Sequence, residues 1–105
     1  MNIEIDQSGK VENTSVDTII AYSNGSSKSI RIAARDKRKI QKIYRSSGKT
    51  HLYIYKTFAL LIYLLIENSL LSLDSVIIDI EYPGWNFLIK DFLLQEIRKK
   101  TSGFQ

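Results

Sequence analysis

The chain has 105 residues, enough for one domain, and 44% of them are hydrophobic, enough to build a core. It has no cysteine and a single histidine, His51, which excludes a disulfide scaffold, thiolate catalysis and any centre built on several histidines. The net charge of +4 is unevenly spread: nine basic residues against Asp36 alone make the stretch from Lys28 to Lys49 +8, which leaves −4 for the remainder. That polarity suits a polyanion held beside a carboxylate site, or a helix face that is merely solvated.

The first residues, Met1-Asn2-Ile3-Glu4-Ile5-Asp6, lack the basic and apolar regions of a signal peptide. The longest uncharged apolar run, 58–66, has nine residues, whereas a membrane span needs about 20. A cytoplasmic protein with no membrane partner is the expectation.

Ile3-Glu4-Ile5-Asp6 alternates apolar and acidic residues, the period of a strand with one buried face. Gln7-Ser8-Gly9-Lys10 is turn chemistry, and Asp17-Thr18-Ile19-Ile20-Ala21-Tyr22 is a second strand rich in β-branched residues. Asn24-Gly25 marks a hairpin, and Lys28-Ser29-Ile30-Arg31-Ile32-Ala33 is the third strand. Residues 1–33 therefore read as a three-stranded antiparallel meander.

The period then lengthens. Ile40, Ile43 and Tyr44 fall at helical spacing over 35–45, with basic side chains on the rest of the cylinder and Gly48 as C-cap. Arg35, Lys37, Arg38, Lys39, Lys42 and Arg45 are the candidate nucleic-acid contacts of this helix. Residues 51–56 read as a short strand, with His51 a polar residue at its edge. Thr57 reads as the cap of a helix over 58–71, whose Leu60, Leu61, Leu64 and Leu65 leave no polar face. Such a helix is buried under the sheet or at an interface between copies, which makes a homo-oligomer an expected partner. Residues 75–82 read as a β-branched strand with Asp79 and Glu81 on one face, Pro83-Gly84 as its break, and about 85–100 as a last helix.

Carboxylates on half-buried strands are costly unless paired, hydrogen-bonded or metal-bound. If the first and last strands are neighbours, Asp6 with Asp79 or Glu81 offers hard oxygen ligands for Mg²⁺ or Mn²⁺, which keep waters and substrate phosphates as further ligands. The alternative is that Glu4, Asp6, Asp79 and Glu81 face solvent, or pair with Lys56 and the basic helix.

A meander whose first strand bears an aspartate, then a helical section, then an acid-bearing strand resembles the ribonuclease H-like superfamily. Ile5-Asp6-Gln7-Ser8-Gly9 is similar to the IDESG strand end of a widespread uncharacterised family held to be ribonuclease H-like, with glutamine at 7 in place of glutamate. Ile78-Asp79-Ile80-Glu81-Tyr82-Pro83-Gly84, followed by Leu88-Ile89-Lys90, is similar to an IDxEYPG segment of small archaeal proteins. The resemblance covers most of the chain. It implies a single α/β ribonuclease H-like domain over 1–105: a three-stranded antiparallel meander followed by helices and a further acidic strand, with the first and fourth strands side by side. It also implies Asp6, Asp79 and Glu81 as metal-binding catalytic residues, Mg²⁺ or Mn²⁺ as cofactor, and nucleic acid as substrate; the alternative is a non-catalytic nucleic-acid-binding or assembly module that keeps the fold with a degenerate site. The relatives continue into a further strand and helix bearing a last ligand. The resemblance thus implies a domain cut short at its C-terminus, with Asp91 and Glu96 as the available substitutes.

Overall fold

Alternation at the N-terminus becomes a strand with one buried face: in β1 (Asn2–Ser8), Ile3 and Ile5 are buried while Asn2, Glu4, Asp6 and Ser8 are exposed. The structure is a computed structural model that describes residues 1–23, 27–79 and 81–102. β2 (Thr18–Ser23) and β3 (Ser27–Ile32) follow, each antiparallel to the strand before, with Asp6 opposite Ala21 and Ile20 opposite Ile30. The expected meander is present; its Asn24-Gly25 turn lies outside the described residues.

Helix α1 (Ala34–Ser46) matches the basic helix of the sequence. Its first free N–H, on Ala34, donates to Asp17 Oδ1 at 2.8 Å, so an aspartate from beyond the helix caps it in place of Ala33. Gly48, at φ +71°, ends it as expected, with the Lys49 N–H reaching the Tyr44 carbonyl at 2.9 Å.

Residues 51–56 are not a strand. Thr50–Leu52 form a 3₁₀ turn that carries the exposed His51, and Tyr53–Ile66 form α2, with Thr57 buried inside it and capping nothing. In a strand Tyr53 and Tyr55 would share one face; on a helix they diverge. Tyr53 turns to Tyr44 and donates its hydroxyl to the Val11 carbonyl, whereas Tyr55 packs against Tyr82 and Trp85. Two separate partners select the helix. A second 3₁₀ turn, Glu67–Ser72, carries the chain onward.

The helical stretch Thr50–Ser72 thus reaches 23 residues, long and apolar enough by length and composition to cross a membrane. In the fold its Phe58, Leu61, Ile62 and Leu65 join the core beneath the sheet. Leu60 and Leu64, which the apolar pattern places in the interior, are instead 43% and 39% exposed.

β4 (Ser75–Ile78) runs parallel to β1, with Glu4 beside Ile77 and Ile5 beside Ile78, and the sheet order is β3-β2-β1-β4. The strand expected to reach residue 82 stops at Ile78. The Asp79 N–H makes one last bond to the Ile5 carbonyl at 3.1 Å, after which the chain turns. Pro83 and Gly84 (φ +87°) occupy the centre of a type II turn closed by the Trp85 N–H on the Tyr82 carbonyl at 3.0 Å. Helix α3 (Asn86–Ser102) then packs along α2, with Lys56 over the Phe92 ring at 5.1 Å.

Among the described residues the result is a mixed α/β fold of four strands and three helices. Ile3, Ile5, Ile20 and Tyr22 form one core with α2 and with Ile89 and Leu93 of α3. Fully burying one such side chain contributes about 1.5–3 kcal/mol. The opposite sheet face, with Glu4, Asp6, Ile19, Arg31 and Ile77, is exposed.

Candidate functional site

Parallel pairing of β1 with β4 brings Asp6 and Asp79 to the carboxyl ends of adjacent strands, the end at which open α/β sheets bind ligands. Asp6 Oδ1 accepts the Gln7 N–H at 2.8 Å. Glu4 stands on the same exposed face of β1. Its hydrogen bond with the Asp79 carboxylate, reinforced by repulsion from that charge, holds its proton above the usual value of 4.5. Glu81 is also pushed up, first by partial burial and then by the charge of Asp6, with Lys10 pulling the other way. The cluster therefore contains Asp6, Asp79 and Glu81, which the sequence pattern singles out, and Glu4, which it does not. The i, i+2 spacing of Glu4 and Asp6 was the available signal.

Among the described residues, no group of three carboxylates or imidazoles is placed to hold one metal ion. What the strand ends bring together is a pair of carboxylates, Asp6 and Asp79, with Glu4 and Glu81 beside it. Asp91 and Glu96 lie on α3, where Asp91 accepts from Gln95 and Glu96 pairs with Lys99 at 3.2 Å.

The loop after β1 joins this end of the sheet to α1. Gly9 opens it at φ +74°, where a Cβ would lie 2.1 Å from the Asp17 carbonyl oxygen. The Tyr82 hydroxyl donates to Gln7 Oε1 at 3.0 Å and accepts the Val11 N–H at 3.1 Å, fastening the loop to the segment after β4. From the other side Lys37 Nζ donates to the carbonyls of Lys10 and Asn13, at 3.2 and 2.7 Å, and to Thr18 Oγ1 at 3.0 Å. Arg38 donates to the Thr14 carbonyl at 2.7 Å.

Lys37 is thereby removed from the basic surface: its exposure is 0%, and burial lowers its pKa below 10.5. It shares the inward side of α1 with Ile40 and Tyr44, at i+3 and i+7, a spacing that marks it as inward-facing despite its charge. The other candidates, Arg35, Arg38, Lys39, Lys42 and Arg45, are exposed. At 100° per residue they fall within a strip of about 120° on the helix.

Comparison with protein-family models, curated proteins and solved structures gives no match.

Proposed function

We propose that this chain is a ribonuclease H-like nucleic-acid-binding domain that works inside the cell and holds a phosphate backbone along α1. The observation that carries the reading is the strip of five exposed cations on a helix stitched to the loop at the carboxyl ends of β1 and β4. A meander followed by a parallel fourth strand beside the first supports the ribonuclease H-like part of the reading. Phosphates gain from α1 and lose near Glu4, Asp6, Asp79 and Glu81, so the backbone is confined to the helix side of the loop. Any association between copies through the apolar helix would use Leu60 and Leu64, the strip of α2 left uncovered.

The test is fluorescence anisotropy of labelled oligonucleotides at low salt. Lys39→Glu with Lys42→Glu reverses two charges that hold no loop carbonyl, unlike Arg38. This double variant should lose binding while its melting curve stays that of the wild type. Unchanged affinity would remove α1 from the reading.

A second reading, a divalent-metal-dependent nuclease using Asp6, Asp79 and Glu81, has the adjacent strand ends in its favour, while no three acids converge on one point among the described residues. Cleavage of mixed nucleic acids that needs added Mg²⁺ or Mn²⁺ and disappears in Asp6→Asn would establish it. No cleavage under those conditions leaves the binding domain.

A further inference from the structure

The aromatic residues at the carboxylate end of the sheet are not arranged like the rest of the core. Trp85 stacks on Tyr55, with ring centroids 4.5 Å apart and planes 16° from parallel. Tyr55 stands edge-on to Tyr82 at 5.9 Å, and Tyr82 edge-on to Phe58 at 5.2 Å, so the stack is braced from the core outward. The type II turn at Pro83-Gly84 fixes the backbone of Trp85 through its bond to the Tyr82 carbonyl. One indole face is thus covered and held, yet the residue remains 44% exposed. Two residues on, in the first turn of α3, Phe87 is 88% exposed.

A rigid indole held on one face and still 44% exposed is suited to stack on flat π-systems, and every nucleobase has one. Beside Gln7 and Lys10, this end of the sheet carries the carboxylates of Glu4, Asp6, Asp79 and Glu81, which repel phosphate but accept hydrogen bonds from the exocyclic amino groups of cytosine and adenine. Backbone and base would therefore be sorted by charge: phosphates to α1, a base to the acidic aromatic corner, with the loop pinned by Lys37 and Tyr82 between them. The internal bases of a duplex cannot use this corner, because they are already stacked on one another.

We propose that Trp85, backed by Tyr55, is a stacking platform for one unpaired base, which makes single-stranded nucleic acid the ligand class of this domain. The inference rests on the nucleic-acid reading above.

Trp85 is the sole tryptophan, so its intrinsic fluorescence reports on the platform directly. The probes are oligo(dA), oligo(dC), a duplex of equal length and inorganic polyphosphate, each titrated into the intact chain. The expected result is that the single strands quench Trp85, whereas duplex and polyphosphate bind without quenching. Trp85→Ala should weaken single-strand binding about fivefold or more, leave polyphosphate binding unchanged, and be rescued largely by Trp85→Phe. The quench is read on the wild-type protein, so the test survives if Trp85→Ala folds poorly. Salt-sensitive binding of single strands with no quench and no loss in Trp85→Ala would overturn the platform and leave the nucleic-acid reading intact. Absence of any binding by anisotropy would overturn both.

Discussion

Replacing Lys37 by methionine keeps the aliphatic stem in the interior and deletes the ammonium. The three acceptors it serves then lose their donor. Lys10 and Asn13 belong to an exposed loop, so their carbonyls regain water as the loop loosens, and each lost bond costs about 1 kcal/mol. Thr18 is buried at 0% exposure, and orphaning its hydroxyl costs about 1–3 kcal/mol. Relief from burying a charge offsets part of this, because burial already lowers the pKa of Lys37. The net expectation is a loss of about 2–4 kcal/mol, a large share of the 5–15 kcal/mol by which domains are stable, and roughly 10–25 °C in melting temperature.

Urea and thermal unfolding of Lys37→Met, Thr18→Val and the double variant measure this, and the double variant should lose less than the sum of the two. The pH dependence has a definite sign. The folded-state pKa of Lys37 lies below its unfolded value, so the unfolded chain holds the proton to higher pH. Wild-type stability relative to Lys37→Met should therefore rise as the pH climbs through that window toward 10.5. A Lys37→Met protein within about 0.5 kcal/mol of wild type, the range of ordinary surface substitutions, would refute the reasoning and return Lys37 to the solvated basic face.

Asp79→Asn should stabilise the fold at neutral pH. Glu4 binds its proton more tightly in the folded state, so wild-type stability falls as pH rises from about 4.5 and is regained on acidification, a dependence the variant should largely lose in pH-resolved melts. Tyr82→Phe leaves the Val11 N–H buried without its acceptor and should cost about 1–3 kcal/mol by denaturant unfolding; no measurable loss would show that the loop is not fastened there.

Much of the architecture was legible because its cause is local. Alternation over residues 3–6 and 28–33 writes one buried face into each strand, and the isoleucines that alternate are those that meet the core or pack against it. Residues 51–56 misled because an alternating pair of tyrosines carries no record of how many neighbours it must satisfy. The early end of β4 was equally invisible: an isoleucine follows at 80, but the ladder closes with the Asp79 N–H on the Ile5 carbonyl although β1 itself runs on to Ser8. At the site, Asp6 and Asp79 follow from strand pairing, whereas Lys37 was misplaced because charge in a sequence does not say whether acceptors wait beneath the helix. The stack of Trp85 left no mark in the sequence. It depends on Tyr55, 30 residues away in sequence on α2.

The most direct measurement is the salt dependence of single-strand affinity. Each phosphate neutralised contributes about −0.7 to the slope of log K against log salt concentration. If Arg35, Arg38, Lys39, Lys42 and Arg45 each neutralise one, the wild-type slope should lie near −3.5, and Lys42→Ala should flatten it by about 0.7. Lys37→Met, by contrast, should leave the slope of its folded fraction unchanged. A slope near zero, or one that Lys42→Ala leaves untouched while Lys37→Met changes it, would contradict the assignment of α1 as the phosphate-binding surface.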